Sequence, residues 1–517
     1  MAFDEMNKSD LFVFLVVSLF INLISCSPKS DNQEKINILF LMSDQHRGDF
    51  LGASGNDWIV SPNLDDLAKE GVIFRKAYSS VPSCTPARTA IFTGLSPWNH
   101  GMLGYMGEAS QTYECEMPAF FSQKGYTTHA VGKNHFGAPS NTHGYKNVEL
   151  EEGWHSVIKE DFKCDYQKWF EKVAPEYDFN ATGLGYTDHR GGISFKFSDS
   201  LHATYWTAER AVSFIEKNRV GQGPWFLKVS FQRPHPPFDP PERWLEYYRN
   251  TDIPLPGVSG WAREKYPEKM GDIRETPNAT HGIYPDYQIR ESLEAYAAGI
   301  SFVDEQIGRI IAALKETHQY KNTLILYTAD HGDMMGDQYM WRKCRPYEPS
   351  VRVPMIIRWP ETVHLRAKRG QSRSELVELR DIFPTFADVA GLDIPAAIDG
   401  ESMLGILDGN QEWRQLLDLE HSLIYEKDNA WVALTDGKYK YIYFTLTGEE
   451  QLFDLENDPC EFSNIVANSD GRQIHDYWYQ EMVEHLKVRG DEWVLNNTLQ
   501  VQQKSVLKGR NFPENNF

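Results

Sequence analysis

Four short runs of nearly unbroken apolar residues each break off into polar, reactive side chains. Ile36 to Met42 leads into Ser43-Asp44-Gln45-His46, and Thr127 to Val131 into Gly132-Lys133-Asn134-His135. Trp225 to Phe231 leads into Arg233-Pro234-His235-Pro236, and Thr323 to Thr328 into Asp330-His331-Gly332-Asp333. Apolar runs this short and continuous read as strands buried on both faces. Helical patterns fall between them. Leu64, Leu67 and Ala68 share a face in a segment opened by Ser61-Pro62 and closed by Gly71, the usual punctuation of a helix. Leu293, Ala297, Ile300, Val303, Ile307, Ile311 and Leu314 form a long amphipathic stripe. Strands alternating with helices predict an α/β fold, a large mixed, mostly parallel sheet flanked by helices. Such sheets bind ligands just beyond the carboxyl ends of their strands. All four polar clusters fall at that edge, so an active site is expected there.

With 517 residues, 41% of them hydrophobic, the chain is long enough for a large core and two packed domains. After about residue 405 the pattern changes. Trp431 to Leu434 and Tyr439 to Phe444 read as strands about the turn Asp436-Gly437, and Ile474 to Val488 as a helix. The expected organisation is a catalytic domain over 36–405 and a smaller α+β subdomain over 406–517, built on a short antiparallel sheet. Most of the 14 Trp, 25 Tyr and 28 Phe belong in the core, and the remainder suit a carbohydrate surface. A net charge of −21 argues against a nucleic-acid partner. It also means that any anion site needs its own local cations.

Leu11 to Ser25 is an uncharged, mostly apolar run, too short for a comfortable membrane span. Its end, Leu23-Ile24-Ser25-Cys26, resembles the lipobox of bacterial lipoproteins. That resemblance implies a signal peptide over 1–25, a lipid such as palmitate on Cys26, and a flexible tether over 26–35. Export and lipid anchoring to the bacterial cell envelope are the expectations. The other cysteines, Cys84, Cys115, Cys164, Cys344 and Cys460, contain no C-x-x-C pair, which disfavours zinc and thioredoxin-type sites. Export would permit one or two disulfides among them, and the odd count leaves one cysteine for chemistry.

Cys84 is the candidate. Cys84-Thr85-Pro86-Ala87-Arg88 has the form C-x-P-x-R after a serine-rich approach, Ser79, Ser80 and Ser83. Pro86 fixes one backbone angle and biases Thr85 away from the helical region. Arg88 sets a permanent cation about one turn past the sulfur, suited to an anion or a thiolate. A lone cysteine is more often a small buried hydrophobe, so the pentapeptide gains its meaning from the blocks around it.

Those blocks, from about residue 36 to residue 465, resemble the type I, formylglycine-dependent sulfatases of the alkaline phosphatase superfamily. Cys84 to Arg88 with Thr93-Gly94 resembles their maturation signature, and Gly132-Lys133-Asn134-His135-Phe136 their G-K-x-H block. Pro234-His235-Pro236-Pro237-Phe238 is similar to their P-H-x-P-F, and Thr328 to Tyr347 with Arg352-Val353-Pro354 to their second metal block and catalytic lysine. Asp381 to Thr385 and Leu452 to Pro459 fit as later blocks. The resemblance implies an alkaline-phosphatase-like fold and a sulfuric ester hydrolase. It implies that a maturase oxidises Cys84 to Cα-formylglycine, whose hydrate attacks sulfur with one hydroxyl and expels sulfate with the other. It further implies one hard divalent cation, calcium with magnesium left open, among Asp44, Gln45, Asp330 and the formylglycine oxygen at Cys84. His331 stands where some relatives carry asparagine and joins that ligand set. The implied roles are Arg88 orienting the nucleophile, and Lys133 and Lys343 neutralising sulfate oxygens. His235 would protonate the leaving alkoxide, and His135 would act as the base that collapses the hemiacetal. Arg342, Arg345, Glu348 and the pair Glu420-His421 remain open between substrate contact and structure.

Three functions compete. The first is a sulfatase acting on sulfated polysaccharide or oligosaccharide, with an algal glycan such as ulvan preferred. The second is a phosphonate or phosphate ester hydrolase of the same superfamily, whose members share the cysteine and pairs like Asp44-Gln45 and Asp330-His331. The third is a non-catalytic lipoprotein that binds sulfated glycans. Intact Cys84, Arg88, Lys133, His235 and Lys343 argue against the third.

Overall fold

A computed structural model describes residues 35–513 except 108, 137–140, 153–161, 180–191, 219–220, 267–279, 411, 427–428 and 468–470. The leader and Cys26 lie outside the described residues. The main sheet contains β1 (Asn37–Asp44), β2 (Val72–Tyr78), β3 (Thr127–Gly132), β4 (Asn147–Leu150), β5 (Trp225–Pro234), β6 (Thr323–Ala329), β7 (Met355–Arg358) and β8 (Gln371–Glu378). Their order is β4-β3-β5-β1-β6-β7-β2-β8. The four apolar runs are β3, β5, β1 and β6. They are consecutive neighbours, and every pairing among them is parallel. One edge of the sheet therefore receives all four polar clusters. β7 runs antiparallel to β6 and to β2, which makes the sheet mixed.

The strands lack alternation because both faces are covered. On β1, Ile38, Phe40 and Met42 enter one core layer, and Leu39 and Leu41 the other. On β6, Leu324 and Leu326 are opposed in the same way by Ile325 and Tyr327. Each such fully buried side chain is worth roughly 1.5–3 kcal/mol, so a charge anywhere inside these runs would be costly. The helices that supply the cover include α1 (Pro62–Lys69), α2 (Cys84–Thr93), α3 (Ala203–Lys217), α4 (Asp286–Glu316) and α5 (Ile382–Val389). α1, α3 and α4 pack on the Leu39 side, and α2 and α5 on the Ile38 side. All seven residues of the predicted stripe on α4 are buried. α4 also caps α1: the Asp304 carboxylate accepts the Asn63 and Leu64 N–H groups at 3.1 and 2.8 Å, a task Ser61 does not perform.

The carboxyl-terminal layer is an antiparallel sheet of β9 (Leu417–His421), β10 (Trp431–Thr435), β11 (Tyr439–Phe444) and β12 (Glu450–Asp454), in the order β12-β11-β10-β9. Trp431, Ala433, Ile442 and Phe444 pack toward Tyr78, Met334 and Tyr347 of the main layer. The opposite face, Val432, Leu434, Tyr441 and Tyr443, is covered by Trp478, Met482 and Leu486 of α6 (Arg472–Lys487). A buried Lys440 ammonium ties the layers further, on Glu348 at 3.1 Å and Glu461 at 2.6 Å. No disulfide joins any of Cys84, Cys115, Cys164, Cys344 and Cys460.

Burial also sets a pH dependence. His100 accepts the Met102 N–H on Nδ1 at 3.0 Å, and burial, helped by Arg380, pushes its pKa down to about 3. Burial takes His421 to about 4. Both stay neutral in the fold, whereas the unfolded chain protonates them below about pH 6.5. The unfolded state then binds more protons, so their contribution is complete above that value and is lost as pH falls toward the folded values. The unfolding midpoint is expected to drop steadily between about pH 6.5 and pH 4.5. In the double variant His100→Gln/His421→Gln the drop should be shallower; calorimetry showing equal slopes would refute this.

Candidate active site

α2 is buried along its whole length and begins at the sulfur of Cys84. Thr85 is helical, against the bias expected from Pro86. Pro86 sits in the first turn, where its missing N–H has no intrahelical partner to lose, and burial on all sides of α2 decides the conformation. The sulfur faces the ends of β1 and β6. Both Asp44 oxygens lie 3.7 Å from it and His331 Nε2 lies 3.3 Å away. Lys343 Nζ donates to it at 2.9 Å. Burial and the Asp44 charge push the thiol pKa up in spite of Lys343 and Lys133. As encoded, Cys84 is therefore a protonated thiol.

Arg88, one turn on, locks the two carboxylates to the sheet. Its Nε donates to Asp330 Oδ2 at 2.9 Å, and Nη2 reaches Asp330 at 2.9 Å and Asp44 at 3.5 Å. Nη1 donates to the Lys133 carbonyl at 2.7 Å and to Ser230 Oγ at 3.0 Å. These contacts hold both carboxylates and tie α2 to β3 and β5. Lys133 follows β3 and pairs with Asp44. Its backbone is pulled against β5 because Gly132 has φ +90° and leaves no room for a Cβ, which would meet the Ser230 carbonyl at 2.1 Å. Burial would raise the Asp44 pKa, but Lys133 first, then His235, Lys343 and Arg88, hold it well below the usual carboxylate range. Burial opposes the charge on Lys343, yet Cys84, Asp44 and Asp330 keep its pKa raised.

His235 lies in the turn after β5, where buried Arg233 grips Asp239 at 2.5 and 2.8 Å. Its Nδ1–H donates to the Pro236 carbonyl at 2.8 Å, and burial beside Lys133 and Lys343 holds its pKa well below the ordinary value. His135 is two residues past Lys133, its N–H on Glu152 at 2.7 Å, outside the group of metal-ligating atoms.

One ligand atom each from Asp44, Cys84, Asp330 and His331 falls within 4.8 Å of the other three. The donor set fits a cation. His331 Nδ1–H donates to the Gly332 carbonyl at 2.9 Å, which fixes the unprotonated nitrogen as Nε2, the one near Cys84 and Asp44. Gln45, at a strained φ of +69°, gives its amide N–H₂ to Asp333, and its buried Oε1 has no hydrogen-bond partner among the described residues. An orphaned, buried amide oxygen on the residue after Asp44 is a hard donor suited to a cation. Two carboxylates, Asp44 and Asp330, face three cations, Arg88, Lys133 and Lys343, so the cluster is locally positive in a chain of net charge −21.

A family model described as Sulfatase matches residues 36–392, and one described as N-sulphoglucosamine sulphohydrolase, C-terminal, matches residues 336–488. The chain belongs to the sulfatase family. This sulfatase is 37% identical over 479 residues to an arylsulfatase of Clostridium perfringens, covering 90% of this chain and 97% of that protein. It is 26% identical over 504 residues to an ulvan-active sulfatase of Formosa agariphila, covering 93% of this chain and 88% of that one. A phosphonate monoester hydrolase from Silicibacter pomeroyi shares the fold, with a TM-score of 0.72, 23% identity, and coverage of 91% and 100%. The protein is an arylsulfatase-like hydrolase of sulfate esters with a metal-binding group at Cys84.

The residues left open by the sequence divide. Glu348 is engaged with buried Lys440, and Glu420 with Arg489 at 2.8 and 2.9 Å, both structural ion pairs. His421 accepts the Ser83 hydroxyl at 2.9 Å, next to Cys84. Arg342 stacks over the Tyr425 ring at 5.5 Å, and Arg345 pairs with Glu426 at 2.6 Å. Three further residues, to which the sequence assigned no role, surround the site. Asp333 braces the Lys343 loop by accepting the Met335 and Arg342 N–H groups, each at 2.9 Å. Tyr105 and Tyr425 both come within electrostatic reach of Cys84. The signal for Asp333 is its place three residues after Asp330; for the tyrosines, sequence offers none.

Proposed function

We propose that this sulfatase removes sulfate from sulfated carbohydrate, using a formylglycine made from Cys84 and a hard divalent cation, calcium by preference, held by Asp44, Gln45, Asp330 and His331. The observation that carries the reading is the environment of Cys84. A buried sulfur that is a poor thiolate sits among metal-type donors and two ammonium groups, a setting with no use for a plain cysteine nucleophile. Formylglycine hydrate would supply a hydroxyl nucleophile there, and the bound cation a Lewis acid for a sulfate oxygen. Lys343 and Lys133 are placed to take the sulfate oxygens and to hold them as charge shifts toward the leaving group. Their pull on Asp44 and Cys84 in the resting site keeps both ammonium groups aimed inward. His235, with Nδ1–H committed to Pro236, would protonate the leaving oxygen through Nε2 after that nitrogen has taken up a proton from solvent. His135 is the base for release of sulfate. Arg88 holds Asp44 and Asp330 in place.

Carbohydrate is favoured because two tyrosines lie within electrostatic reach of Cys84 and because a relative is ulvan-active, which makes an algal glycan the first to try. Leu11 to Cys26 supports export and a lipid anchor, with a maturase met before or during export. A second reading, phosphonate or phosphate ester hydrolysis, is favoured by Asp44-Gln45 and Asp330-His331.

The deciding test is mass spectrometry across Cys84 on protein co-expressed with a maturase, with sulfate and phosphate release followed in parallel from ulvan, carrageenan and glycosaminoglycan oligosaccharides and from phosphate esters. Conversion with sulfate released from a glycan upholds the reading. Conversion with phosphate esters alone cleaved moves it to the second. An unconverted Cys84 in maturase-competent cells sinks both. The cation has a separate readout. Calcium at about 100 times its dissociation constant should add about 2.7 kcal/mol of stability, seen as a higher unfolding midpoint that chelation reverses. In Asp44→Asn the shift should largely vanish; an unchanged shift would place the ion elsewhere.

A further inference from the structure

Residues 502–512 lie past both family matches, which stop by residue 488, and pack on two segments that border Cys84. Gln502 donates its N–H to the Thr445 carbonyl at 2.7 Å. Ser505 Oγ then accepts the Leu423 N–H at 2.6 Å, and Ser422 Oγ donates to the Val506 carbonyl at 2.6 Å. On the other side, the Leu507 carbonyl accepts the Leu103 N–H at 3.0 Å, and the Gly509 N–H donates to the Gly101 carbonyl at 2.7 Å. Met102 and Lys508 pair between those two bonds. The Leu103 carbonyl in turn accepts the Ser422 N–H at 2.6 Å. Three segments, 101–104, 421–423 and 502–509, are laced into one junction. The fit is close: Gly101 has φ +71°, and a Cβ there would stand 2.2 Å from the Phe512 nitrogen.

Both segments held by this run reach the catalytic helix. Met106 donates its N–H to Thr85 Oγ1 at 3.3 Å, one residue after Cys84. His421 receives the Ser83 hydroxyl, one residue before it. Tyr105 lies in sequence between the junction and the Thr85 contact, partly buried, within electrostatic reach of Cys84, Lys343, Lys133 and Asp44. An apolar ring with a polar tip suits the wall of a site that receives a ring-bearing ester.

We propose that residues 502–512 are a positioning strap for the active site, and that Tyr105, set by the strap, is a substrate-contacting residue that governs affinity for the group carrying the sulfate. The proposal rests on the sulfatase reading, and one of its two readouts is independent of activity. In Ser505→Ala, hydrogen exchange should quicken in the amides of 101–106 while the unfolding midpoint holds. On matured enzyme with 4-nitrophenyl sulfate, Tyr105→Ala should raise KM roughly tenfold with kcat changed less than about twofold. Ser505→Ala should raise KM roughly threefold, and the double variant should be no worse than Tyr105→Ala alone. Unchanged exchange at 101–106, or a Ser505→Ala penalty that adds in full to Tyr105→Ala, overturns the proposal. Faster exchange in a matured protein that hydrolyses no sulfate ester would instead overturn the sulfatase reading and uphold the strap.

Discussion

Replacing Cys84 by alanine is expected to leave a folded protein whose sulfate-ester turnover has fallen by at least about 10⁴-fold. The size follows from what the site retains. Lys133 and Lys343 can still take a sulfate group, and Asp44, Asp330 and His331 a cation, but nothing is left to attack sulfur. Stability should hardly move, because the sulfur has no disulfide and Lys343 keeps Asp44 and Asp330 as counter-charges; a loss of about 1 kcal/mol or less is expected. Protein made without a maturase should be as inactive as the variant, since burial and Asp44 keep the unmodified thiol protonated. Turnover, a Cys84 peptide mass and a melting curve on the three preparations settle it. Activity in the unmatured protein would mean that the thiol itself is the nucleophile.

The catalytic edge was legible because it is made of strands buried on both faces. Ile36 to Met42 and Thr323 to Thr328 cannot alternate when helices cover each side, so their ends are sharp in the sequence, and the polar residues that follow must lie beyond the sheet. Strand order was not legible. Nothing local to Thr127 or Trp225 says that β3, β5, β1 and β6 are neighbours, and only that adjacency turns four clusters into one site. Short-range expectations failed where burial overruled them, as at Thr85, helical before a proline, and at Ser61, whose capping task falls to Asp304 from α4. Arg88 was found by its spacing from Cys84, but its partners, Asp330, Asp44, Ser230 and the Lys133 carbonyl, lie on or just after four strands, β6, β1, β5 and β3. Tyr105 and Tyr425 carry no motif. They reach Cys84 by tertiary packing alone, Tyr105 in a segment tied to residues more than 300 positions away.

Arg88→Leu should be the most destabilising single change in the site, by about 3–5 kcal/mol, the usual result of removing one partner from a buried ion pair. Leucine fits the volume of α2 but returns nothing to Asp44 and Asp330, both fully buried. Arg88→Lys should recover little, because an ammonium cannot span Asp330, Asp44, Ser230 and the Lys133 carbonyl at once. The cause can be separated from a packing defect. A divalent cation at the metal-ligating group neutralises the same carboxylates, so the loss measured by urea unfolding should be smaller in calcium than in chelator. Asp330→Asn added to Arg88→Leu should likewise restore part of the stability, since it removes one uncompensated charge. If calcium and Asp330→Asn both leave the deficit untouched, Arg88 is a space-filling residue of α2, and the electrostatic account of the site has to be abandoned.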